Sequence, residues 1–549
     1  MDHDEGAFDI IVIGTGLTES IATAALSKAG FKVAQIDVNP YYGGDEASLT
    51  QDEFVQWQDR QLAANDIYSS YSRSSSDVLP QSRQYSLSLL PSVIPSTGPL
   101  ISSLIQSGVS RYGGFRMIEQ VAMYHSSGTV KAVPGSKEDI FRDKTITLVE
   151  KRRLMRFLKF ASGDFEESEE LSGKEEQTFV EFLKSTFSLN DDISNAITYA
   201  LAYCQSPSDP TAPALQRLRR YLHSAGRYGA SPFLVGHYGS AGEIAQGFCR
   251  TSAVSGGVYI LGRNITSVKC TADGEFPDPD RPSYVIHMDE FPEPLTCRVL
   301  ISSSSRIPQE LLPATQLSKL REAPDNVTTA RCIAIIDKPL RFCSSSSQEA
   351  TPVTTDNEEF VDNLSDQSPK SMDTGILIFP PSSLQGGGAL STVDVLIVGE
   401  GTMSTPQNKW ILYLSALNPR GESPETLLKP YLQATLRLRA ETSPDSEPLT
   451  PIFTSFYNQR SPPPAHASTP RSPSTTSSTR SSVLPNYILV PQLSLQPLPE
   501  PPDIANVNAE KVFWDAMRFL RPQALSADQA EGLSFWPPLP RDEEDDDDS

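Results

Sequence analysis

Near its start the chain carries a short apolar run, Phe8 to Ile13 (FDIIVI), interrupted only by Asp9 and bounded by glycine. A run of this length with no polar alternation reads as a strand buried on both faces, as in a parallel sheet. Gly14-Thr15-Gly16 follows, then a helical stretch from Leu17 to Ala29, with Gly30 where a helix stop belongs. Lys32 to Asp37 (KVAQID) reads as the second strand of a βαβ unit. From about residue 146 the apolar positions switch to helical spacing. Leu154, Met155, Leu158 and Phe160 recur among Lys151, Arg152, Arg153, Arg156 and Lys159. Phe179, Phe182, Leu183 and Phe187 then repeat every three or four residues, followed by Ile193 and Ile197. Strand signals return at Gly257 to Leu261, Tyr284 to His287, Val299 to Ser302, Cys332 to Ile336, Gly375 to Phe379, Val393 to Val398 and Trp410 to Leu414.

The pattern predicts an α/β protein with mixed sheets and a Rossmann-related opening, plus an inserted all-helical domain. The expected division is an α/β part over 1–145, helices over 146–228, and α/β again over 229–343 and 374–458. The Ser/Asp/Glu-rich stretch 344–373 and the Ser/Pro-rich stretch 459–485 read as disordered. A segment 486–538 with a short helix, Ala509 to Leu520, precedes an acidic tail, 539–549.

Apolar residues make up 38% of the 549, enough for a sizeable core, and 45 prolines imply much loop. The formal net charge of −22 argues against nucleic acid or an anionic membrane as a non-specific partner. The six cysteines form no CxxC pair, which argues against a disulfide framework or a zinc site. The six histidines are dispersed, with no HExxH and no GxSxG, so no catalytic constellation and no metal site is expected. The acidic opening MDHDEGAFD is no signal peptide, no run of about 18 apolar residues is present, and the final residues are not a lipidation box. A cytoplasmic protein is expected.

The βαβ unit deserves a chemical reading, since Asp37 lies 23 residues after Gly14. In a GxGxxG loop the third glycine lets helix and strand pack closely, and the helix N-terminus receives a diphosphate. Here Gly14 and Gly16 are present, but Glu19 stands at the third position. It adds bulk at the packing point and negative charge where a diphosphate would lie, a repulsion on the order of several kcal/mol at low dielectric. The loop keeps the signature of the fold without that of the cofactor, and no cofactor is expected.

The blocks FDIIVIGTGLTES and NPYYGG (Asn39 to Gly44) resemble the opening of the GDI/Rab escort superfamily. VSRYGGFRMIEQV (Val109 to Val121), VEKRRLMRFLKF (Val149 to Phe160), RYGASPFLVGHYGSAGEIAQGFCRTSAVSGGVYIL (Arg227 to Leu261) and, more weakly, EGTMSTPQNKWILYLSA (Glu400 to Ala416) are similar to later blocks of that family in the same order. The resemblance implies a flavoprotein-like fold without flavin and no catalysis. It implies a Rab-binding platform of Tyr42, Glu243, Gln246, Arg250, Val258 and Ile260. GFCR and GGVYI, the segment RRYLHSAGRYG and the length resemble the escort branch more than the GDI branch. That branch implies transferase contacts at Tyr221 and Arg227. It also implies a geranylgeranyl-binding wall from Phe179, Phe182, Leu183, Phe187, Ile193 and Ile197.

The partners so implied are a GDP-bound Rab GTPase, the α/β heterodimer of Rab geranylgeranyltransferase, the lipid on the Rab, and a membrane only transiently at delivery. A GDI that recycles prenylated Rab, and a flavin-dependent oxidoreductase on the same fold, are the alternative readings. For several implied residues a plainer role is open: packing for Tyr42, Tyr221 and the helical-domain residues, an internal ion pair for Arg250, and a cap on the helix C-terminus for Arg227. The basic run Lys151 to Lys159 reads as a solvated helix face.

Overall fold

The computed structural model describes residues 6–64, 67–75, 77–135, 137–271, 283–303, 306, 308–311, 328–342, 372–438, 449–460, 486–491, 493, 495, 497–522 and 534–537. Almost all of the insertion 344–373 and of the linker 459–485, and all of the tail 539–549, lie outside the described residues. Along the chain run β1 (Ala7–Ile13), α1 (Leu17–Lys28) and β2 (Val33–Asp37). Helices α2 (Leu148–Ala161), α3 (Phe179–Phe187) and α4 (Thr211–Ser224) follow. Next come α5 (Ala241–Val254), β3 (Val258–Leu261), β4 (Leu295–Ser303) and, much later, α6 (Pro501–Leu520).

β1 has parallel neighbours on both edges, β2 and β4, with Ile10 opposite Val33 and Val299, and apolar clusters cover both its faces, Ile10 and Val12 in one, Ile11 and Ile13 in the other. Among the described residues β3 pairs only with β2, at the edge of this sheet; beyond β4 lie Tyr284–Met288 and Ile265–Cys270, and Tyr487–Val490 also joins β4. Every residue of α1 from Leu17 to Ser27 is buried, because α5 and α6 pack against it. The chain leaves α1 through Gly30 at φ 86°, a left-handed turn that suits glycine. α6 begins eight residues before the Ala509 expected from the sequence. Pro501 and Pro502 sit in its first turn, where a missing N–H and a fixed φ are harmless, so prolines that read as loop start the helix.

An eight-stranded mixed sheet forms the second α/β layer, running from Tyr68–Arg73 at one edge through Phe453–Arg460, Thr328–Ile336, Trp410–Asn418, Val393–Val398, Thr374–Phe379 and Gln120–Tyr124 to Val130–Ala132. The helical segment packs on one face of it. A single apolar cluster joins Phe157, Phe179 and Phe182 to Ile333, Ile376 and Tyr413. α2 starts at a capping box in which the Glu150 N–H donates to Thr147 Oγ1 (3.3 Å) and the Thr147 N–H donates back to Glu150 Oε2 (2.9 Å). No described helix is long and apolar enough to cross a membrane.

Candidate functional site

The turn after β1 is filled by the protein's own carboxylates. The Leu17 N–H, a free donor at the start of α1, donates to Glu46 Oε2 at 3.0 Å. Thr15 donates through its N–H (2.8 Å) and its hydroxyl (2.7 Å) to Asp37 Oδ2, and the Asn39 N–H donates to Asp37 Oδ1 at 2.9 Å. Asp37 is thus fully engaged inside the turn. Arg306 reaches in from the segment after β4, 3.7 Å from Asp37 and 3.8 Å from Asp45. Burial opposes its charge, yet Asp45, Asp37 and Glu19 together hold its pKa above the ordinary range. A Cβ on Gly16 would fall 2.6 Å from Glu19 Oε2 and 2.7 Å from Glu46 Oε2, so a side chain there would have to displace both carboxylates.

A flavin of the kind this fold carries elsewhere does not fit here: the donor a diphosphate needs is already taken, and the space beside it is filled by Glu19 and Glu46. The charge attributed to Glu19 needs a correction. Burial pushes its carboxyl up to about 7, and burial with repulsion from Glu19 holds Glu46 well above the carboxylate range. The pair therefore retains a proton near neutrality, and Glu19 excludes a diphosphate more by volume than by charge.

Because the pKa of Glu19 rises on folding, the stability its neutral form contributes is complete below about pH 4.5 and is lost as the pH climbs through about 7. Glu19→Gln is neutral throughout. It should match the parent in acid and be up to about 3 kcal/mol more stable above pH 7. Urea unfolding at both ends of that window checks this, and a stability gap that does not grow with pH would contradict it.

The residues of the implied Rab platform lie on the NPYYGG turn, on α5 and on the edge strand β3. Gly43, at φ 96°, brings the NPYYGG turn onto the α5 backbone: a Cβ there would lie 2.8 Å from Ala47 Cα and 3.3 Å from Gly242 Cα. This close approach sets half-buried Tyr42 edge-on to Tyr259 of β3, with ring centroids 5.7 Å apart. Along α5, Glu243, Gln246 and Arg250 recur every three or four residues on the outward side, while Ile244, Ala245, Phe248 and Cys249 are buried. Gln246 and Arg250 are exposed; Glu243 is half-buried, and desolvation raises its pKa.

Val258 (41% exposed) and half-buried Ile260 stand on the other face of β3 from Tyr259, with Ile260 packed on the core behind that sheet. The six residues thus do not share one face: Tyr42 meets Tyr259 on one side of β3, Val258 and Ile260 lie on the other, and Glu243, Gln246 and Arg250 stand on α5. Two residues were missed from the sequence. Tyr112 lies under the Arg250 guanidinium (5.0 Å to the ring centroid), its hydroxyl 2.6 Å from Thr251 Oγ1. Val254 is 83% exposed at the end of α5. Both stand in the blocks that carry the resemblance, but only the fold brings Tyr112 beneath α5.

Tyr221 is corrected by the structure. It is 3% exposed, boxed by Tyr203 and Phe233, with its hydroxyl bonded to Glu500, and offers no surface to a partner. Arg227 is exposed in the turn after α4 and lies over the ring of exposed Tyr228, at 5.4 Å. The aromatic partner of Arg227 at the surface is therefore Tyr228. Phe179, Phe182, Leu183, Phe187, Ile193 and Ile197, the implied lipid wall, are closed core in this structure. None is more than 9% exposed; they pack on one another and on Phe157, so lipid could reach them only if the helices part.

A family model of GDP dissociation inhibitors (GDI) matches residues 1–351. A Drosophila melanogaster protein named Rab proteins geranylgeranyltransferase component A is 38% identical over 285 residues, 48% of this chain and 54% of that one. Its namesake from Saccharomyces cerevisiae is 28% identical over 428 residues, 75% of this chain and 62% of that one. The chain thus spans little more than half the length of these curated relatives. Among solved structures, Rab GDI from Plasmodium falciparum superposes with a TM-score of 0.59 at 20% identity, covering 93% of this chain and 98% of that one. An oxidoreductase from Methanosarcina mazei reaches 0.50 at 13% identity, over 81% and 87% of the two chains, and shares the fold alone. With its model spanning more than half of the sequence, the GDP dissociation inhibitor family is the one to which this chain belongs.

Proposed function

We propose that this protein is a Rab escort protein. It binds a GDP-bound, unprenylated Rab at the β3 edge, presents it to Rab geranylgeranyltransferase, and shields the prenylated product on the way to a membrane. The observation that carries this reading is the outward stripe of α5, with Arg250 lying over Tyr112 beside exposed Gln246 and Val254. Partly exposed aromatic and guanidinium groups held in place by the fold are the material of protein–protein hot spots. The escort branch is preferred to a recycling GDI because the relatives named above are components of the transferase.

In this reading the protein does no chemistry itself and works in the cytosol. Arg227 and Tyr228 form the exposed pair that meets the transferase. The helical-domain core takes up the geranylgeranyl chain only after opening, since burial of a C20 chain gains several kcal/mol to set against parting the helices.

Adding the purified protein to transferase, geranylgeranyl diphosphate and unprenylated Rab should raise prenylation at least tenfold, and Arg227→Ala with Tyr228→Ala should lower that stimulation. Extraction of prenylated Rab without any stimulation would favour the GDI alternative. Stoichiometric flavin absorbance in the purified protein would overturn both.

A further inference from the structure

We propose that the first turn of α2 and the segment before it form a docking surface for an anionic lipid bilayer. Of the five most exposed large apolar side chains among the described residues, three fall within nine positions: Phe141 (60%), Leu148 (75%) and Val149 (57%). They are held together. Buried Lys151 of α2 donates to the Phe141 carbonyl at 2.7 Å, which folds the preceding segment back against the helix start. Isolated exposed apolar residues are ordinary, but such a grouping is not.

The charge around it reverses that of the chain. The whole sequence has 46 Lys and Arg against 68 Asp and Glu, whereas Phe141 to Lys159 carries seven cations against two carboxylates. Glu150, one of the two, is committed to Thr147 and Asn190. No described carboxylate lies within ion-pair distance of Arg142, Lys144, Arg152 or Lys159, and Arg156 has only a distant one, Glu170 at 3.7 Å. Counterions screen the acidic remainder beyond about 10 Å, so the local charge decides what this surface attracts.

The shape fits a bilayer. Arg152 lies one turn beyond Leu148, Arg156 two and Lys159 nearly three, an outward stripe roughly 16 Å long with its apolar group at one end. A helix laid along a membrane in this way sinks its apolar side chains to the acyl boundary and keeps its cations among the headgroup phosphates. Whole-chain charge argued against a membrane partner; the structure locates the place where that argument fails.

The test uses the full chain without any GTPase, so it is independent of the escort reading. Flotation with phosphatidylcholine vesicles should show binding only when phosphatidylserine is included, and binding should fall with added salt. Leu148→Ser with Val149→Ser, and separately Arg152→Glu with Lys159→Glu, should each weaken it about tenfold or more. These side chains are exposed, so the melting temperature serves as a fold control. Absence of binding to phosphatidylserine vesicles, or binding that the variants leave unchanged, would overturn the proposal. So would variants that lose only the stimulation of prenylation, which would assign the surface to a protein contact.

Discussion

Arg250→Ala is expected to weaken the affinity for a GDP-bound Rab by about 1–3 kcal/mol, roughly 5- to 150-fold, in a titration of the purified partners. The geometry supports so large an effect for one exposed side chain. Arg250 lies over the Tyr112 ring, and the Tyr112 hydroxyl meets Thr251, one residue along α5 from Arg250. The guanidinium is therefore partly ordered before any partner arrives, and little side-chain entropy remains to be lost on binding. Tyr112→Ala should produce part of the same loss. In a double-mutant cycle the two changes should be non-additive, because each removes the same stacked unit. Additive losses would show that Arg250 acts without Tyr112, and an unchanged affinity for Arg250→Ala would take the residue out of the platform. A preference for GDP over GTP is expected as well, since Rab switch segments change order with the nucleotide.

What the sequence disclosed and what it withheld divide along contact distance in the chain. The βαβ opening was legible because each of its signals is local: a short, mostly apolar run, a glycine turn, a helix-length run and a second strand. Glu19 was legible as an obstruction for the same reason. Glu46 and Arg306 were not. Nothing in either residue's neighbours announces that one caps the Leu17 N–H and the other pairs with Asp37.

The resemblance singled out Tyr221, but a sequence cannot tell an aromatic whose hydroxyl meets water from one whose hydroxyl meets a carboxylate 279 residues away. The phenylalanines of α3 illustrate the converse: spacing alone marks a buried stripe, and a lipid-binding wall has the same pattern as a closed core. Whole-chain charge is informative in another way: an average over 549 residues says nothing of how cations cluster, as they do at α2.

The second large effect is expected where α4 meets α6. Arg220 donates to both oxygens of Glu500 (2.9 and 3.0 Å) and to Asp503 Oδ2 (3.1 Å). The Asp503 side chain is 2% exposed and its other oxygen accepts the Leu100 N–H, while Glu500 also receives the Tyr221 hydroxyl. One cation thus serves two carboxylates withdrawn from water, and it ties α6 to a helix nearly three hundred residues earlier in the chain. Arg220→Ala leaves both without their cation, and the expected loss is about 3 kcal/mol of stability in urea unfolding.

The pH dependence gives the mechanism away. Burial pushes the Asp503 carboxyl up to about 6 even with Arg220 in place. Its neutral form is therefore favoured in the fold below about pH 4, and that advantage disappears as the pH passes 6. Without the cation the carboxyl should rise further, so the deficit of the variant should be small in acid and grow through neutrality. Tyr221→Phe removes one donor to Glu500 and should lose only about 1 kcal/mol, with prenylation unchanged wherever the variant is folded. A deficit for Arg220→Ala that is flat with pH would mean that packing of its stem, not the carboxylates, holds α6 to α4.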